Sequence, residues 1–230
     1  DKAVTYAEAF NEPLDGPGVG IVEVDGKVFY TCIPRVWALS DNNDDGVADK
    51  MDVLFDGYGV HVGISGHDLH GLVYGPDGKI YWSMGDRGYA LKSREGETYS
   101  APYTGGVFRS NPDGTDFEVY YYALRNPQEL TFNEYGDLFT VDNNADIGDS
   151  SRMTYILEGG NTGWSMGWQL LSYGDFAKLG GLGGQKPNPW MQEGLFKLRH
   201  DGQPAWILPP IGHITNGPCG FAYNPGVGLP

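Results

Sequence analysis

Hydrophobic and polar residues alternate along most of this chain in short runs that end on a turn closed by glycine. Three segments share one pattern: Gly20–Cys32 (GIVEVDGKVFYTC), Gly71–Met84 (GLVYGPDGKIYWSM) and Glu129–Asp142 (ELTFNEYGDLFTVD). Each reads as a strand, a tight turn and a second strand, because residues two apart share one face of a strand and Asp-Gly or Tyr-Gly supplies the reversal. A fourth copy, Gly220–Pro230 (GFAYNPGVGLP), stops where its second strand is due. A second unit falls between the copies. Val36–Leu39, Val107–Ser110 and Leu195–Leu198 each precede an Asp-Gly turn, and Val53–Phe55, Val119–Tyr122 and Trp206–Leu208 follow it.

Two hairpins per repeat give four strands in roughly 50 residues, the size of a propeller blade. The pattern predicts an all-β fold, a β-propeller of four-stranded blades with about four blades present in an incomplete ring. The chain opens inside one repeat and closes inside another. Residues 1–230 are therefore expected to be a single propeller fragment, with the full protein longer at both ends or the ring completed by a partner. Residues 166–193, rich in Gly, Pro and Trp, read as an inserted surface loop. A two-sheet sandwich is the rival fold, and the long repeats weigh against it.

Composition narrows the function classes. Glycine (36) and proline (15) interrupt nearly every window long enough for a helix, while 13% aromatic content supports a packed core. A net charge of −15 excludes the basic surface that nucleic acid requires and suits carboxylates that hold divalent cations. No apolar run reaches membrane-spanning length. Two cysteines, Cys32 and Cys219, exclude a disulfide scaffold and leave a single bridge or two separate buried thiols open.

The stretch Asp41-Asn42-Asn43-Asp44-Asp45-Gly46-Val47-Ala48-Asp49 fits D-x-N-x-D-G-x-x-D. Asp41, Asn43 and Asp45 place oxygens at alternating positions, Val47 can add a carbonyl and Asp49 a closing carboxylate, the donor set of a short structural calcium loop. The plainer alternative is an acidic turn whose Asp and Asn side chains cap local backbone groups.

Three further clusters carry polar chemistry. Gly66-His67-Asp68-Leu69-His70-Gly71 precedes a core strand and Gly85-Asp86-Arg87-Gly88 follows its partner. In a propeller such turns line the central site, where His67 or His70 can act as base or ligand, or simply as hydrogen-bonded turn residues. Arg125-Asn126-Pro127-Gln128 sets a cation beside an amide, a pairing suited to a planar anion or to an ion pair between blades. Asp142-Asn143-Asn144-Ala145-Asp146-Ile147-Gly148-Asp149 is a second cluster of hard oxygens, followed by Gly159-Gly160-Asn161-Thr162-Gly163-Trp164.

The order HDLHGLVYGPDGKIYWSMGDRG, then RNPQELTFNEYGDLFTVDNN, then EGGNTGW resembles the soluble glucose/sorbosone dehydrogenase propellers, which use pyrroloquinoline quinone (PQQ) and calcium. With the Asp-Gly loop ahead of HDLHGL it is closer still to bacterial exported propellers called membrane-bound dehydrogenases, many of which carry a haem c domain. The resemblance runs over the whole chain and is strongest over 61–164. It implies a quinoprotein-like oxidoreductase that abstracts hydride from a sugar or polyol, in a periplasmic or extracellular setting, with a cytochrome c domain or subunit as electron acceptor. By position it makes His67 the catalytic base and His70 an added candidate. It makes Arg125, Asn126 and Asn143 contacts of the PQQ, with Arg87 standing where that family often has Gln. It makes Asn144 and Ala145 carbonyl ligands of the cofactor's calcium, where that family usually has Gly-Pro, with Asp146 or Asp149 as a compensating ligand. Relative to that family the chain is expected to be truncated at both ends, without the later blades that supply further basic ligands. The alternative function is a non-catalytic, calcium-stabilised propeller that binds carbohydrate or protein, with Trp164, Trp168, Tyr173 and Trp190 stacking on sugar rings. A third reading is a subunit of an electron-transfer assembly with haem on another chain.

Overall fold

The computed structural model describes residues 3–8, 10–13, 15–59, 66–171, 188–204, 206–214 and 216–227. The predicted hairpins form where the alternation placed them. Strands β1 (Gly18–Val24), β2 (Lys27–Cys32), β3 (Arg35–Ser40) and β4 (Lys50–Asp56) make one antiparallel sheet in sequential order. The second sheet takes β5 (Leu69–Tyr74), β6 (Ile80–Met84), β9 (Gly105–Ser110) and β10 (Glu118–Leu124), with β14 (Gly160–Asn161) added in parallel at its outer edge. The third takes β11 (Pro127–Phe132), β12 (Leu138–Asp142), β13 (Arg152–Ile156) and β15 (Gly212–His213). A fourth, two-stranded sheet, β7 (Tyr89–Lys92) with β8 (Thr98–Ala101), is a hairpin inserted between β6 and β9. Four antiparallel sheets without barrel closure fit about four propeller blades in an incomplete ring.

The leading strands β1, β5 and β11 contact one another in turn and so line the axis. Their approach is close enough that a Cβ at Gly20 on β1 would lie 2.1 Å from the Gly71 carbonyl oxygen on β5. The second sheet lies between the first and the third and is covered on both faces, which is why β6 is buried at all five positions. Ile80, Trp82 and Met84 face the first sheet, in a core with Phe29, Val36, Phe55 and Phe108. Tyr81, the alternate residue, faces the third sheet with Val107, Leu130, Leu138 and Ile156. Trp82 stacks on Phe55 at 5.3 Å between ring centroids and donates its Nε1–H to the Tyr58 hydroxyl at 3.0 Å. Burial of one such indole is worth about 3–5 kcal/mol against alanine.

Several expectations change toward the C-terminus. Leu195–Leu198 and Trp206–Leu208 are turns and irregular chain, not strands, and residues 220–227 hold no strand either. Prolines at 204, 209, 210, 218 and 225 remove ladder donors through this stretch. The segment 166–193 is more than a surface loop. Its ends fold as two short helices, α1 (Met166–Leu170) and α2 (Pro189–Gln192), capped by the Ser165 and Asn188 side chains. Asn188 ties the two ends together by donating to the Trp168 carbonyl at 2.7 Å. Trp190 is fully buried, edge-on to Trp164. Residues 172–187, Tyr173 among them, lie outside the described residues. Both cysteines are free: Cys32 is buried, where desolvation pushes its thiol up to about 11, and Cys219 is exposed. Neither a bridge nor a pair of buried thiols is formed.

Candidate active site

The turn before β5 and the turn after β6 lie side by side because β5 and β6 pair, Leu69 opposite Met84. Gly85 permits the contact: a Cβ there would sit 2.7 Å from the His67 carbonyl carbon and oxygen. Asp86, the next residue, is 1% exposed and divides its carboxylate between two donors. His67 Nδ1 lies 2.7 Å from Oδ1, and Trp164 Nε1–H donates to Oδ2 at 2.9 Å. An ionised carboxylate only accepts, so Nδ1 carries a ring proton, and in the neutral imidazole Nε2 then keeps its lone pair. His67 retains 16% of its side-chain exposure. A base oriented by a buried carboxylate, with its second nitrogen free, is the arrangement general-base catalysis requires.

Arg125 and Asn126 occupy the connection from β10 to β11. The Arg125 carbonyl accepts the Asp86 N–H at 2.7 Å, joining this connection to the His67 turn. Asp142, fully buried at the end of β12, accepts the N–H groups of Arg125 at 3.1 Å and Asn126 at 2.7 Å. It also pairs with the fully buried Arg152, whose guanidinium lies 4.5 Å from the Trp190 ring. The Arg125 guanidinium lies 5.8 Å from the Trp164 ring centre and donates through Nη2 to Asp146 at 2.8 Å. Its Nε and Nη1 have no partner although the residue is 3% exposed. Two orphaned N–H groups on a buried cation are what a carboxylate-bearing planar ligand satisfies.

The structure thus brings His67, Arg125, Asn126 and Trp164 into one cluster. His70, also expected as a catalytic candidate, is instead turned into the seam between sheets with its Nε2 engaged. Burial lowers its pKa, with hydrogen bonds to Gly66 and Asn126 partly opposing that. Asp68 is fully buried with both carboxylate oxygens unpartnered. Desolvation raises its pKa, against the pull of Arg87 and His67. Asn143 spends its side-chain oxygen on the Asn144 N–H and the Ser151 hydroxyl.

The expected metal ligands look different in place. Asp41 accepts the N–H groups of Asn43, Asp44, Asp45 and Gly46, which lowers its pKa, and Asn43 donates to Asp49. Asp45 accepts from the Val47 N–H. This loop joins β3 to β4, away from the axial strands, and its side chains cap the loop's own N–H groups. Of the second set, Asn144 and Ala145 donate their N–H groups to Asn143 and Asp149, and Asp146 pairs with Arg125. Among the described residues no three His, Cys, Asp or Glu side chains gather as a metal site. Trp164 and Trp190, expected as sugar platforms, are buried.

Asp86, Asp142, Arg152 and the role of Trp164 are not assigned by the sequence motifs. Asp86 is visible in GDRG, but its partners lie 19 and 78 residues away.

Stacked sheets whose leading strands contact one another in turn define a β-propeller, with a carboxylate-oriented histidine and a buried arginine in the turns beside those strands. In fold the chain matches a PQQ-bound aldose sugar dehydrogenase from Streptomyces coelicolor, with a TM-score of 0.55 and 19% identity over 88% of this chain and 54% of that one. It matches likewise an oxidoreductase described as a glucose dehydrogenase from Thermus thermophilus, with a TM-score of 0.58 and 20% identity over 93% and 62% of the two chains. Quinoprotein glucose dehydrogenase B of Acinetobacter calcoaceticus is 30% identical over 125 residues, 43% of this chain and 26% of that protein. The chain therefore spans about a quarter of that curated relative. Residues 1–162 match the model of DUF7133, described as a domain of unknown function, and the chain belongs to that family.

Proposed function

We propose that this chain carries the base and the quinone anchor of an oxidoreductase that removes hydride from an alcohol carbon of a sugar or polyol. The observation that carries the proposal is the link from His67 through Asp86 and Trp164 to Arg125, whose buried guanidinium has two unpartnered N–H groups. PQQ, a planar tricarboxylate, fits that donor set, and when bound it supplies the hydride acceptor. Arg125 would hold one of its carboxylates, with Asn126, Asn143 and Arg87 around it.

His67 Nε2 takes the hydroxyl proton of the substrate as hydride leaves the adjacent carbon. Asp86 keeps the imidazole in the Nδ1–H tautomer and stabilises the imidazolium that forms. The Trp164 N–H fixes the carboxylate and the indole closes one side of the site to water. Calcium, held by the loop over Asn144, Ala145 and Asp146, belongs to the same proposal, as does a structural calcium at Asp41–Asp49; no step depends on either. Export to the periplasm or beyond and a cytochrome c acceptor rest on the resemblance.

Purified protein supplied with PQQ and calcium is expected to reduce an artificial dye with aldoses or polyols. His67→Ala should abolish that rate and leave PQQ binding intact. No PQQ-dependent rate across a broad panel, from protein that also carries the later blades, refutes the proposal. Glycan binding that survives His67→Ala with Arg125→Ala, without turnover, points to a non-catalytic propeller instead.

A further inference from the structure

His70 lies on β5 and is 4% exposed, yet its ring reaches across the seam to the third sheet. Its Nε2 is 3.0 Å from the Gly66 carbonyl oxygen and 3.1 Å from Asn126 Oδ1. Gly66 is the residue before His67, and Asn126 is the residue after Arg125. These two contacts are to acceptors, and the third, the Gln128 side-chain nitrogen, is longer at 3.5 Å, so Nε2 carries the proton and donates to the two oxygens together. Nδ1 is then an unprotonated, buried nitrogen, and it has no partner. The strand is shaped for this reach: Gly71 has φ +58°, and the β5–β6 register slips between His70 and Val73.

The bond settles the side-chain amide as well. With Oδ1 of Asn126 turned to His70, the Nδ2–H₂ group is presented on the other side, so Arg125 and Asn126 together display only donors. A neutral imidazole is required, because a second ring proton on Nδ1 would be buried without an acceptor. Burial disfavours that second proton.

We propose that His70 is a positioning residue, a neutral Nε2–H latch that fixes the turn bearing His67 to the connection bearing Arg125 and Asn126, and that selects the donor face of Asn126 for an anionic ligand. The ligand part of this inference rests on the proposed quinone site; the latch itself does not. Leucine removes the bond and keeps the bulk, while glutamine can place an N–H close to the position of Nε2.

The experiment uses the full chain with PQQ as titrant, and hydrogen exchange and ¹⁵N shifts on the unliganded protein. His70 is expected as the Nε2–H tautomer. His70→Leu should weaken PQQ binding about tenfold, the scale of one or two lost buried hydrogen bonds. His70→Gln should restore affinity to within about threefold, and in an Asn126→Ala background His70→Leu should change nothing further. An Nδ1–H tautomer, or equal losses with and without Asn126, overturns the latch. If the unaltered chain binds no PQQ, the quinone reading fails and the latch is judged by exchange at the Arg125 and Asn126 amides. Those should exchange about tenfold faster in His70→Leu; unchanged rates overturn it.

Discussion

Asp86→Asn separates the chemistry of this site from its architecture. Asparagine has the shape of aspartate but offers one acceptor and one donor where the carboxylate offers two acceptors. Trp164 Nε1 can only donate, so the amide oxygen must take the position 2.9 Å from it. The amide NH₂ then faces His67 at the position now 2.7 Å from Nδ1. Nδ1 must accept, and the ring proton moves to Nε2, the nitrogen that should receive the substrate proton. Both contacts survive with neutral partners, and the Asp86 N–H bond to Arg125 is untouched. Two hydrogen bonds to a charged group become ordinary ones, a loss of about 1–2 kcal/mol. For a domain of this size that is a melting shift of about 2–8 °C. The rate should fall far more, by about 10²–10⁴, the usual contribution of a general base. Steady-state dye reduction, PQQ titration and a melting curve on the same sample read the three effects. A PQQ-dependent rate within about threefold of the parent, or a fall in PQQ affinity that accounts for the lost rate, refutes the assignment of His67 as a base oriented by Asp86.

Other substitutions test the frame around the site. Arg152→Met leaves Asp142 fully buried without its cation, and stability measured by urea unfolding should fall by about 3–5 kcal/mol. A loss under about 1 kcal/mol would show that Asp142 is held by the Arg125 and Asn126 amides alone. Trp82→Ala should cost about 3–5 kcal/mol by the same measurement, since the indole stacks on Phe55 and Phe108 and lies tilted against Phe117 at the first seam. Asp68 gives a pH test with a definite sign. Burial raises its folded pKa above 3.8, so the folded chain holds a proton the unfolded chain releases. Ionisation therefore costs stability as pH climbs from about 3.8 through the folded pKa, and the cost is complete above it. Asp68→Asn should stabilise the protein at pH 7 by on the order of 1 kcal/mol, a gain that fades below pH 3.8. A gain equal at both pH values would show that ionisation is not its source.

The three glycine-punctuated copies reveal the blades because strand alternation and Asp-Gly turns are local codes. Asp25-Gly26, with φ of 50° and 77°, forms the turn its residues demand. Legibility fades where tertiary contacts decide. Leu195–Leu198 has a strand's alternation, yet Leu195 packs with Trp164, Trp190 and Ile207 in a cluster outside the sheets. The hairpin at 89–101 splits the second repeat without disturbing the pairing of β6 with β9. At the site, the motif order marks His67, Arg125 and Asn126. It is silent on Asp86 as orienter and on Arg152 as counter-ion of Asp142, since each relation is a contact between strands. The oxygens of Asp41–Asp49 show the opposite limit: one spacing serves a cation and the loop's own N–H groups alike, so the spacing does not separate the two readings.

The seam between the second and third sheets also makes occupancy measurable without turnover. His67 precedes the second sheet's first strand and Arg125 leads into the third sheet, so a molecule that touches both acts as a staple across the joint. Its grip adds to the free energy of unfolding, by about 2.7 kcal/mol at a hundredfold excess over its dissociation constant. Melting scans against quinones, sugar acids and simple polycarboxylates can therefore rank what this chain recognises before any electron acceptor is known.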